Sequence, residues 1–136
     1  MNNKNKLKFL FTGPRDIYAT PAFERSLVAT KSVRGETAVV DWNDEPDIKS
    51  RKWPEYHFKY KKGIMGLLKW QWFLYSNMVK IKPDVVVNMS MLSFTPIVAY
   101  KLTKKIKVIY DCRDYLAVSY SFNFLSTQII RLFDNL

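Results

Sequence analysis

Three short polar segments, each placed straight after an apolar run, hold the residues with chemistry to offer. Gly13-Pro14-Arg15-Asp16 follows KFLFT, Asn88-Met89-Ser90 follows DVVV, and Asp111-Cys112-Arg113-Asp114 ends KVIYD. Gly13 permits a tight turn that brings backbone N–H groups close to a ligand, and Arg15 has the planar fork that meets a phosphate. The plainer reading of Gly13 is a strand-ending turn. Arg113 and Asp114 also read in two ways: opposite charges that prop a loop, or contacts to a ligand.

Other chemistries are excluded or weak. TGPRDIYAT is neither G-x-G-x-x-G nor a P-loop, so the two standard nucleotide fingerprints are missing. Asp41 ends an apolar run where a ribose-binding acid could stand, but a turn-starting aspartate is the simpler reading. Cys112 is the only cysteine and His57 the only histidine. No intrachain disulfide can form, a Cys/His metal site is ruled out, and no histidine can serve a site far from residue 57. Cys112 reads as a core-facing thiol. Neither a cofactor nor a metal is expected.

The elements that must position these segments follow from apolar patterning. Lys6 to Thr12, Thr37 to Trp42, Asp84 to Asn88 and Lys107 to Asp111 have strand length and little polar alternation; Tyr56 to Tyr60 is a weaker candidate. Between them lie helices. Thr20 and Pro21 start the first, Phe23 and Leu27 share its face, and Gly35 closes it. Residues 61 to 80 form a second, stopped by Pro83. A third starts at Thr95-Pro96, with Val98 and Leu102 facing inward. A last one begins near Asn123 and still runs, apolar and uncapped, at Leu136. Short buried strands alternating with helices predict an α/β fold: a single Rossmann-like, doubly wound parallel sheet. Its ligand crevice belongs where the strand order reverses, between the first strand and DVVVN. Gly13, Arg15, Asn88, Ser90, Arg113 and Asp114 would converge there as a substrate-binding set.

Residues 61 to 80, KKGIMGLLKWQWFLYSNMVK, pose a separate question. A membrane span needs about 20 mostly apolar residues, and Lys69 interrupts this run. At 100° per residue, Ser76, Lys69, Lys80, Gly66 and Asn77 form a narrow polar strip through which Phe73 points outward. The rest is apolar, wider than packing on one sheet needs. Half of it reads as core. The other half, with Lys61, Lys62, Lys69, Trp70 and Phe73, has the makings of an interfacial anchor on anionic lipid.

The formal net charge of +10 over 136 residues, with 48% hydrophobic and 25% charged residues, describes a globular domain with a polyanionic partner. The short apolar run near the start does not make a signal peptide, and a cytoplasmic protein is expected. The unpartnered apolar face from Ile129 to Phe133 predicts a continuation of the chain or a dimer contact.

The order of segments resembles the N-terminal domain of GT-B glycosyltransferases, in the family 4-like group of retaining sugar transferases. The matching pieces are KFLFTGPRD, FERSLVATKSVRGETAVVDW, KPDVVVNMS and KVIYDCRDYL, in family order across almost the whole chain. The resemblance implies one Rossmann-like half of a two-domain enzyme, binding a polysaccharide or lipid-linked acceptor. A missing C-terminal domain or partner subunit would grip the nucleotide-sugar donor, so this half would not turn over alone. The loop at Gly13 would approach the donor phosphates, and Arg113 stands where many members carry histidine. The rival expectation is a non-enzymatic α/β module, flavodoxin- or receiver-like, that holds a polyanion. Asp84 lies at the wrong end of its strand for a receiver, and no nucleic-acid motif is present.

Overall fold

The computed structural model describes residues 6–14, 21–33, 35–43, 53–59 and 63–110. Among them five strands form one sheet: β1 (Lys8–Pro14), β2 (Glu36–Trp42), β3 (Glu55–His57), β4 (Val85–Asn88) and β5 (Lys107–Tyr110). Their order is β3-β2-β1-β4-β5 and every neighbouring pair is parallel. Helices α1 (Pro21–Ser32), α2 (Ile64–Ile81) and α3 (Phe94–Thr103) make the crossovers. The expected doubly wound parallel sheet is what forms.

Register explains why the strands show no polar alternation. Leu10 lies beside Ala38 and Val86, and Phe11 beside Val39 and Val87. Successive side chains leave opposite faces, and both faces are covered. Leu10, Val40 and Val86 pack with Trp70, Leu74 and Met78 of α2 and with Ile97 and Tyr100 of α3. Phe11, Val39 and Val87 pack with Phe23 of α1, whose ring meets Phe11 edge-on at 5.1 Å. A sheet buried on both sides needs apolar residues at consecutive positions.

Gly35 links α1 to β2 by close approach. Its N–H reaches the Thr30 carbonyl at 3.1 Å, and a Cβ there would lie 2.6 Å from the Phe9 ring. Weak patterning placed the third strand at Tyr56 to Tyr60. Instead the ladder starts earlier, where the Pro54 carbonyl accepts the Val39 N–H at 3.0 Å, and it ends as the Phe58 N–H reaches the Asp41 carbonyl at 2.8 Å.

Helix α2 departs from the expected wheel. Its buried residues are Gly66, Trp70, Leu74, Asn77 and Met78. Gly66 and Asn77, assigned to a polar strip, sit on the inner face. Gly66 adds no bulk, and the Asn77 amide donates to the Phe73 carbonyl at 2.9 Å, so it enters the core already bonded to its own helix. The outward face carries Ile64, Met65, Leu68, Trp72 and Val79, all exposed. The helix ends at Lys82, a left-handed residue (φ 53°) whose N–H returns to the Met78 carbonyl, with Pro83 next. No helix of the described residues is long and apolar enough to cross a membrane.

Helix α3 is rotated from expectation as well. Pro96, Ile97 and Tyr100 are buried, whereas Leu102 is 84% exposed and Val98 also faces outward. A 3₁₀ turn at Met91–Ser93 leads directly into the helix.

Candidate crevice at the strand reversal

The sheet order reverses between β1 and β4. Thr12 is in register with Asn88 there, Gly13 with Asp41, and the Met89 N–H extends the ladder to the Thr12 carbonyl at 2.9 Å. Gly13, Asn88 and Ser90 therefore lie at one carboxyl-end edge. Tyr110 pairs with Asn88, so β5 also ends at this edge. Arg15, Arg113 and Asp114 lie outside the described residues. So do Cys112 and the apolar stretch from Ile129 to Phe133.

Asn88 and Ser90 shape the turn after β4. The Asn88 Oδ1 accepts the Ser90 N–H at 3.1 Å, and the Ser90 Oγ accepts the Leu92 N–H at 3.2 Å. Both residues are buried, at 1% and 3% exposure. Their oxygens thus hold backbone in place. Other polar atoms here are unengaged: Thr12 Oγ1, Asn88 Nδ2 and Ser93 Oγ are buried without a hydrogen-bond partner among the described residues. Such a group costs about 1–3 kcal/mol when left dry. Strand alternation puts Thr12 and Asn88 on the α2 face, where the Gln71 side-chain amide donates to the Leu92 carbonyl. Thr12 and Ser93 were not legible as site residues, because a threonine inside an apolar strand reads as core.

A second polar cluster was missed entirely. His57 Nδ1 lies 2.6 Å from Asp41 Oδ1, and His57 Nε2 lies 3.2 Å from Glu55 Oε2. Asp41 is a fully buried strand residue, so the turn-starting reading is overturned. Both ring nitrogens of His57 meet carboxylates, and the contact to Asp41 makes the cluster a clamp between β2 and β3. The only signal available was that Asp41 and His57 each stand near the end of a strand. Among the described residues no group of His, Cys, Asp and Glu could hold a metal ion. Asp84, at the opposite edge, accepts the Lys8 N–H at 2.8 Å and closes the start of β4 onto β1.

The proposed membrane residues divide. Trp70 is fully buried, 5.5 Å from Trp42 and 5.9 Å from Phe58 between ring centroids. It cannot touch a membrane: the turn of α2 that carries it faces the sheet. Phe73 is half-buried against Phe58 at 5.3 Å. Lys69 is exposed, and Lys61 and Lys62 lie outside the described residues. Trp72, at 72% exposure, is the tryptophan that faces outward. No family model and no curated protein matches the chain.

Proposed function

We propose that this chain is the acceptor-binding half of a GT-B glycosyltransferase that extends a lipid-linked or polysaccharide acceptor at an anionic membrane surface. The observation that carries the reading is the set of unpartnered buried polar atoms, Thr12 Oγ1, Asn88 Nδ2 and Ser93 Oγ, at the strand reversal. Open parallel sheets bind ligands at that point, and hydroxyl-rich molecules such as sugars offer donors and acceptors to match. The ordered pieces KFLFTGPRD, KPDVVVNMS and KVIYDCRDYL support the family. The donor sugar nucleotide would be held by a further domain or a partner subunit.

The outward face of α2 supports the membrane setting. Met65, Leu68 and Trp72 stand beside Lys69, and α2 carries no acidic residue. A cationic rim around apolar side chains fits a bilayer rich in anionic lipid, on the cytoplasmic side of the cell membrane.

The test is an amide-resolved NMR titration with a short-prenyl diphosphate-linked sugar, and separately with a UDP-hexose. The acceptor analogue should shift the amides of Gly13, Asn88 and Ser90, and the UDP-hexose alone should leave them still. No response at those amides would overturn the reading. Tight binding of duplex DNA or heparin in its place would favour the polyanion module.

A further inference from the structure

A groove of about 620 Å³ runs between the outer side of α2 and the edge strand β3. Its volume lies within the usual span for small-molecule sites, about 300–1,000 Å³. Tyr56 and Phe58 come from the β3 side, and Leu68, Trp72 and Phe73 from α2. The floor is preset: Phe58 and Phe73 lie 5.3 Å apart, and both rings rest against Trp70, which is fully buried. One wall is open, because Leu68 and Trp72 are 56% and 72% exposed.

Charge completes the site. Lys69 and Lys80 line the groove and no carboxylate does among the described residues. Eleven positions apart, they share one stripe of the helix and sit about 16 Å from one another along its axis. A crossover helix runs antiparallel to its strands, so Lys69 lies towards the carboxyl-end edge of the sheet, where exposed Lys59 leaves β3. Lys80 lies towards the other end. An elongated apolar channel with cations at its ends fits a molecule that joins a hydrocarbon chain to an anionic head.

We propose that this groove binds one single-chain lipid phosphate, with its chain along Phe58, Phe73 and Trp72 and its phosphate at Lys69. The site is separate from the crevice at Thr12 and Asn88, which lies at the strand reversal and not at the sheet border. The proposal deepens the membrane-surface reading, because it replaces general adsorption by a stoichiometric lipid site.

The experiment uses farnesyl monophosphate below its micelle concentration, followed by calorimetry and tryptophan fluorescence. Binding should be one to one, and at least about tenfold tighter than farnesol or inorganic phosphate. Trp72→Ala and Lys69→Glu should each weaken it about tenfold, while Leu102→Ala, an exposed apolar change outside the groove, should not. Ser76→Trp should fill the groove and abolish binding, yet leave co-sedimentation with phosphatidylglycerol vesicles intact. If vesicles bind but monomeric farnesyl phosphate does not, the groove assignment is overturned and the membrane reading stands. If neither binds, both fall. Tighter binding of oligothymidylate than of farnesyl phosphate, or equal losses in Trp72→Ala and Leu102→Ala, would also overturn it.

Discussion

The His57 imidazole Nδ1 and the buried Asp41 carboxylate stand 2.6 Å apart, across the same register that pairs their backbones. The contact joins the edge strand to the rest of the sheet. Replacing His57 by Ala leaves a buried carboxylate without its imidazole, so the variant should lose about 2 kcal/mol of unfolding free energy. Urea denaturation reads the loss. A change under about 0.5 kcal/mol, the usual scale of a surface substitution, would show the clamp to be ornamental.

Neighbouring tryptophans of α2 should behave oppositely. Trp70 is fully buried and Trp72 is 72% exposed. Trp70→Ala opens a cavity beneath Trp42 and Phe58 and should cost about 3–5 kcal/mol. Trp72→Ala should stay within about 0.5 kcal/mol, as surface changes do. Thermal melts of the pair settle which face of the helix is inside.

Gly35→Ala should destabilise by about 1–3 kcal/mol through overpacking, because its Cβ would sit 2.6 Å from the Phe9 ring. Shortening that ring with Phe9→Leu should recover part of the loss. A double-mutant cycle without coupling would place the strain elsewhere.

Burial pushes the Tyr100 phenol above its ordinary value, with Tyr75 and Asp84 adding to the effect. The folded protein therefore keeps this proton where the unfolded chain has lost it. The contribution is complete below about pH 10, the free tyrosine value, and stability should fall as pH rises past it. Tyr100→Phe should flatten the alkaline fall of the midpoint. In the wild type, one of the eight tyrosines should titrate late by absorbance. A profile unchanged by Tyr100→Phe would assign the alkaline loss to another group.

Much of this architecture is legible in the chain itself. Runs such as FLFT and VVV are continuous because the sheet is covered twice, and their spacing forces crossovers. The strand reversal follows, and with it the meeting of Gly13, Asn88 and Ser90. Register is another matter: no local pattern says that Asp41 will face His57, since the two lie sixteen residues apart on strands whose offset is set by packing. Helix phase failed for a related reason. With apolar residues nearly all round α2, the wheel has no strong minimum, and a self-bonded Asn77 is free to enter the core. In α3, too, a nearly all-apolar run gives the wheel little contrast, and Ile97 and Tyr100 are inside instead of Val98 and Leu102.

The β3 border of the sheet, finally, is brief. β3 has only three residues, and Pro54, directly before it, has no N–H to offer. A strand arriving from another molecule would find few open backbone groups to pair with, and the His57 clamp keeps that short rail from peeling away. The β3 border thus offers a neighbouring chain little of the template on which fibrils grow.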